Sequence, residues 1–208
     1  GKALKKINHL GQGGEEYTFI LGITLDEDNN EMFINDNLSR KILVYDLEGN
    51  FKRSFKHKEG TMYDKIYNFD QDNLLCHDGY SSNNGEANEQ SFMLISKSNG
   101  NITKEIRIPF NKKILTAVLL QDPKNGMTYG ATPSSDYPII PIHNNWILIE
   151  PSSDTLFTFS SDLQLKPFII RKPSIESMNP ETFLFISSVT DRYCFMEIVE
   201  KKYDFGLQ

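Results

Sequence analysis

The chain has 208 residues, with 22 Lys plus Arg against 28 Asp plus Glu and a formal net charge of −6. Its length lets it bury about 70% of its unfolded surface without disulfide staples, and 38% hydrophobic with 12% aromatic residues excludes disorder. The acidic balance argues against nucleic acid, which needs clustered Lys and Arg, and no apolar run approaches the roughly 18 residues that span a membrane.

Short apolar, β-branched and aromatic runs, each bounded by Gly, Asn, Asp, Ser or Pro, predict strands joined by tight turns. Residues 3–10 read as an outer strand, and 11–17 as a crossing whose glycines permit positive φ. Residues 22–26 read as an inner strand, 28–30 as its turn, 32–36 as a second strand, 41–46 as a third, 48–50 as a turn and 51–56 as an outer strand. Cys76 lies in a further apolar run, and strands follow at 91–96 and 101–110. In the last of these Ile102, Ile106 and Ile108 share one parity and Thr103, Glu105 and Arg107 the other, the period of a strand with one buried face. Residues 112–121 fit a short helix through Ile114, Ala117 and Val118, or almost equally a strand. The stretch 121–136 is rich in turn formers and reads as an insertion, and strands follow at 145–150, 154–160, 182–188 and 192–200. Trp146 is expected in the core. Cys76 and Cys194 each sit inside a strand-like run and read as two free thiols rather than a disulfide. The fold class is all-β and antiparallel.

A repeat underlies the strands. The run FKRSFKHK from Phe51 aligns with ALKKINHL from Ala3, NITKEIRI from Asn101 and LQLKPFII from Leu163. Before three of them stands an apolar strand and a polar turn: VYDLEGN, LISKSNGN and FTFSSDLQ. A period of about 40–50 residues with four strands each is the spacing of β-propeller blades. The strands from Gly22 to Lys56 resemble an NHL-type blade. Gly11, Gln12, Gly13, Gly14, Glu15, Glu16 and Tyr17 after the first outer strand, and Ser153, Asp154 and Thr155 opening a third strand, resemble six-bladed propeller proteins found as bacterial surface or periplasmic lipoproteins. Those proteins tend to carry Gly-Gln-Gly-x-Glu-Tyr and Ser-Asp-Thr at these places. The NHL signature itself is altered, because residues 37–39 hold no His and the usual turn Gly is Asn29 or Asn30. The resemblance implies export and lipid anchoring of the full-length protein. Three complete blades are expected at roughly 17–58, 61–110 and 112–172, with an outer strand before them and two strands after. The 208 residues then read as one propeller domain, an internal portion of a longer protein, prone to self-association through open blade edges.

Candidate chemistry is sparse. Asp26, Asp28 and Asn30 match the opening of a calcium loop, but Glu31 and Asn37 stand where Gly and the bidentate Glu belong, which favours an acidic turn. Gly11, Gln12, Gly13 and Gly14 lack the third glycine and following helix of a phosphate cradle. Of the histidines, His9 and His57 occupy equivalent repeat positions, which suits architecture, while His77 and His143 have no helical metal spacing. A metal gathered from several inner strands, as in propeller lyases and lactonases, would draw on Asp26, Asp70 and His143. No nucleophile elbow or zincin motif is present. Asn37 and Asn101 open sequons, for which chance is the default.

The expected function is a non-enzymatic binding or scaffold protein without a cofactor, its partner a glycan, peptide or protein. The rival is a metal-dependent propeller hydrolase or lyase. In a propeller the loops from outer to next inner strand and from second to third strand emerge on one side. Here that side collects 11–17, 36–40, 78–90, 150–154 and 172–180. Arg40 as a donor fork, Tyr80 as a stacking surface, and Asp36, Asp78 and Asp154 as acceptors are the expected ligand contacts.

Overall fold

The computed structural model describes residues 5–79, 90–121, 126–134, 136–143 and 145–202. They fall into two compact units, one ending at Arg107 and the other beginning at Ile108.

The first unit is two antiparallel sheets of four strands, each in simple meander order. One contains β1 (Ile20–Asp26), β2 (Glu31–Asp36), β3 (Lys41–Tyr45) and β4 (Phe51–Lys56). The other contains β5 (Tyr63–Asn68), β6 (Asn73–Asp78), β7 (Phe92–Ser96) and β8 (Ile102–Ile106). The turns follow from local chemistry. Asp46 takes the Asn50 N–H at 2.8 Å and its amide at 2.7 Å, while Gly49 supplies φ of 90°, a conformation that costs other residues strain. Alternation then decides the core. Phe33, Ile42, Val44 and Phe55 of the first sheet pack on Tyr63, Leu74, Cys76, Met93 and Ile95 of the second, each large side chain contributing about 1.5–3 kcal/mol of burial. The opposite parity, Ile34, Leu43 and Tyr45, packs with Tyr17 on the first sheet's other face. Such four-stranded meanders are the unit from which propellers are assembled.

Residues 5–10, expected as an outer strand, form only an isolated parallel bridge, Leu10 to Tyr17. A strand exists only where a neighbour takes up its backbone groups, and these residues are held instead by side chains. Lys5 Nζ donates to the Glu48 carbonyl at 2.5 Å, and His9 stacks on Tyr45 with ring centroids 4.9 Å apart.

The second unit opens with a hairpin of β9 (Val118–Gln121) and β10 (Thr128–Ala131). The strand reading of 112–121 therefore holds from Val118 on, and the turn-rich insertion carries the return strand. A four-stranded meander follows: β11 (Ile139–Ile142), β12 (Asn145–Leu148), β13 (Thr155–Ser160) and β14 (Leu165–Ile170). After a 3-10 turn at Ile175–Ser177, β15 (Thr182–Val189) pairs with β16 (Cys194–Glu200). Ile147, Ile149, Leu156 and Ile186 form one cluster, and Ile114, Ile175, Phe183 and Phe185 another. Trp146 is half-buried and joins neither, where the sequence leads one to expect a core position. Cys76 is buried, Cys194 partly so, and both are free thiols. Outer strands carry Lys52, Lys56, Lys104, Lys166 and Pro167, residues that discourage edge-to-edge pairing. No helix among the described residues is long and apolar enough to cross a membrane.

Candidate functional site

In the first unit, carboxylates at the ends of second strands tie down the straps that enter each sheet. Asp36, the last residue of β2, accepts the Thr18 N–H at 2.7 Å, the Thr18 hydroxyl at 2.9 Å and the Ser39 N–H at 3.2 Å. Burial opposes ionisation of Asp36, but these hydrogen bonds outweigh it and hold the carboxyl below its usual range. Asp78, the last residue of β6, accepts the Met62 N–H at 2.8 Å. In the second unit Asp154 accepts the Ile175 N–H at 2.8 Å and faces Arg171 Nε at 3.4 Å.

Asp36, Asp78 and Arg40 gather around one imidazole, that of His57. Its Nδ1 accepts the Tyr63 N–H at 3.3 Å, and its Nε2–H donates to Asn35 Oδ1 at 3.0 Å. The Asn35 amide closes the ring by donating to the Tyr63 carbonyl at 2.7 Å. This arrangement demands a neutral ring. Burial drives the His57 pKa down to about 4, with Asp78 and Asp36 acting upward and Arg40 downward. Arg40 is itself exposed, at φ of 47° in the β2–β3 turn, and its carbonyl accepts the His57 N–H at 2.9 Å. Of the expected contacts, the structure thus brings together Arg40, Asp36 and Asp78. Asp154 belongs to the other unit, and Tyr80 lies outside the described residues.

Beside this cluster sits a pair that the sequence reading did not find. His77 of β6 donates Nδ1–H to Asp64 Oδ1 at 2.7 Å. The ladder between β5 and β6 shifts register between Tyr63 and Lys65, so Asp64 is the extra residue of a bulge, a device that re-aims a side chain. Burial would raise the Asp64 pKa, but the attraction of His77, then its hydrogen bond and Lys65, lower it overall. A carboxylate holding Nδ1 fixes the ring's tautomer and orientation. A bulge leaves no pattern in composition, and the only signal available was an acid inside a strand.

The residues considered for a metal are engaged elsewhere. Asp26 pairs with Lys97 at 2.5 Å and accepts the Asn29 amide at 2.8 Å. Asp70 caps its own turn through Asp72 and Asn73, and exposed His143 lies 3.4 Å from Asp191. Among the described residues no group of three or more His, Cys, Asp or Glu side chains converges as a metal site would require.

Among solved structures, the chain resembles a "putative exported protein" from Bacteroides fragilis at 16% identity and a TM-score of 0.54, covering 79% of this chain and 41% of that one. The likeness is one of fold. The chain spans less than half the length of that relative. Fainter matches are a streptogramin B lyase (13% identity, 86% of this chain, 67% of that one, TM-score 0.38) and virginiamycin B lyase from Staphylococcus aureus (12% identity, 88% and 70%, TM-score 0.35). No curated protein matches the chain. Residues 1–198 match a family model described as a domain of unknown function, and the chain belongs to that family, DUF4934.

Proposed function

We propose that the chain is part of a six-bladed, NHL-like β-propeller, exported and lipid-anchored at the bacterial surface or in the periplasm, that binds a glycan, peptide or protein without catalysing a reaction. Both units contribute blades to one domain in this reading. It is supported by the three four-stranded meanders and by the fold shared with an exported relative. Exposed apolar rows agree with it: Ile23 and Leu25 on β1, Phe195, Met196 and Ile198 on β16, surfaces suited to packing against further blades or a second copy.

The observation that carries the binding role is the use made of Asp36 and Asp78. Both are fully buried and stitch straps to strands, so the loop-bearing end of their sheets is a rigid frame. Arg40 stands exposed on that frame, and Tyr80 follows Asp78 by two residues. Rigid frames presenting exposed donors and rings are where β-scaffolds carry recognition. Arg40 and Tyr80 supply the contacts, with Asp36, Asp78 and Asp154 holding the loops. A second reading, a hydrolase or lyase, is favoured by the Asp64–His77 pair alone.

The test is a glycan and peptide array probed with the purified protein, followed by a double variant, Arg40→Ala with Tyr80→Ala. The expected result is binding weakened by about tenfold or more with an unchanged melting temperature. Unchanged affinity moves the site elsewhere. Turnover that His77→Gln abolishes would replace the binding reading by the enzymatic one.

A further inference from the structure

A groove of about 660 Å³ runs between the outer strands of the first unit's two sheets, lined by Lys56, His57 and Lys58 on one side and by residues 99–105 on the other. We infer that this groove binds an acidic peptide segment in extended form.

Three observations lead there. The first is charge. Lys56, Lys58 and Lys104 all line the groove, and none has an ion-pair partner among the described residues. Glu105, the groove's one acid, lies 3.7 Å from Arg107. A local excess of positive charge on a chain of net charge −6 attracts carboxylates and orients their approach.

The second is rigidity. Gly100 in the groove wall sits so close to the Phe55 ring that a Cβ there would lie 2.3 Å from Cδ2. Asn99 Oδ1 accepts the Asn101 N–H at 2.9 Å, and the Thr103 hydroxyl donates to Asn73 Oδ1 at 2.7 Å. His57 is fixed by Asn35 and Tyr63. The wall is ordered before any ligand arrives, which lowers the entropy lost on binding.

The third is the kind of ligand. The lining holds no Phe, Tyr or Trp, so a pyranose ring finds no stacking surface. What it offers instead is ammonium groups, the side-chain amides of Asn99 and Asn101, and the flanks of β4 and β8, each the last strand of its sheet. Lysines two residues apart match the spacing of alternate side chains on an extended chain. The groove borders the Arg40 loop through His57, whose N–H donates to the Arg40 carbonyl, but its lysines are other residues and it rests on no part of the propeller reading.

Fluorescence anisotropy with a labelled decapeptide of alternating Asp and Ser tests the inference. Saturable binding is expected at low salt, weakening as salt rises. The triple variant Lys56→Gln, Lys58→Gln, Lys104→Gln should weaken it about tenfold. Replacing Lys5, Lys112 and Lys166 by Gln should leave it unchanged. Protection of Lys56, Lys58 and Lys104 from amine acylation by the bound decapeptide in the unaltered protein gives a readout free of folding effects. Equal losses from both triple variants, or no protection, would show diffuse attraction and overturn the site. An oligogalacturonate that binds at the same lysines more tightly than the decapeptide would overturn the peptide assignment.

Discussion

Each unit buries a lysine against a carboxylate, and in the first unit that pair is tied into a network with Arg53 and Glu31. Lys97 and Asp26 have side-chain exposures of 5% and 2%, and Lys113 and Glu150 of 1% and 2%. Around the first pair, Asn29 donates its amide to Asp26 at 2.8 Å, Lys97 Nζ also reaches the Asp70 carbonyl, and the Lys97 carbonyl accepts Arg53. Arg53 in turn grips Glu31 through two bonds of 2.7 Å. Around the second, Glu150 accepts the Ser152 N–H at 3.2 Å, and Lys113 lies 5.2 Å from the Phe110 ring centroid. A network shares the desolvation of each ion among several donors.

The sharpest way to break that contrast is to delete each lysine. Lys113→Met removes the ammonium from a carboxylate of 2% exposure and should destabilise the second unit by about 3–5 kcal/mol. Lys97→Met leaves Asp26 with its Asn29 bonds, and the loss in the first unit should be smaller by about 1–2 kcal/mol. Adding Glu150→Leu to Lys113→Met should recover most of the stability, since an apolar pair replaces a buried ion pair at little cost. Hydrogen exchange resolved by unit measures each local free energy. Lys97→Met proving the costlier of the two would mean the network shares nothing.

The same contrast governs what could be read from the sequence. Turn formers and alternation fix strand positions locally, so 32–36, 41–46 and 51–56 reappear nearly unchanged as β2, β3 and β4. Gly49 and Gly100 mark turns because positive φ is written in the residue itself. Partners distant in the chain leave no such mark. Lys97 and Asp26 are 71 residues apart, Lys113 and Glu150 37, and nothing in periodicity couples them. Residues 5–10 repeat the outer-strand phrase yet form no strand, because pairing depends on a neighbour rather than on the phrase. Asp36, Asp78 and Asp154 were expected as acceptors toward a ligand. Each accepts from the protein's own backbone, a choice made by loop geometry. Legibility therefore ends where side chains meet across sheets.

Acid should separate the units next. His57, neutral in the folded chain with a pKa of about 4 against an ordinary 6.5, binds its proton more readily when unfolded. Its contribution is complete above pH 6.5 and is lost as pH falls toward 4, about 3 kcal/mol in all. Asp26, Glu31, Asp36 and Asp64, whose pKa values are lowered, also lie in the first unit. Their contributions fade only below their ordinary values of 3.8 to 4.5. The second unit has no buried counterpart to His57 among the described residues, since His143 is exposed. Hydrogen exchange between pH 7 and 4.5 should therefore speed in β4 to β6 well before it speeds in β12 and β13. A His57→Gln variant, which cannot take the proton, should flatten that early loss. Parallel loss in both units, or an unaltered profile in the variant, would remove His57 as the cause.

The smallest expected difference compares two glycines with nearly equal backbones. Gly100 has φ of 75° and Gly126 φ of 72°, so an alanine at either meets the same left-handed strain, about 1 kcal/mol. Their surroundings differ. A Cβ at Gly126 would have no heavy atom within 4 Å, while one at Gly100 would press on three atoms of the Phe55 ring. Phe55 is buried at 9% exposure between the two sheets of the first unit, and a ring packed on both sides cannot retreat cheaply. Gly126→Ala should then cost only its backbone strain. Gly100→Ala should cost about 1–2 kcal/mol more, and trimming the ring with Phe55→Leu in the same chain should remove part of that excess. Urea unfolding of the unaltered chain, Gly100→Ala, Phe55→Leu and the double variant closes a double-mutant cycle between residues 100 and 55. A coupling energy of zero would mean that strain alone, and not the packing between the sheets, fixes glycine at this turn.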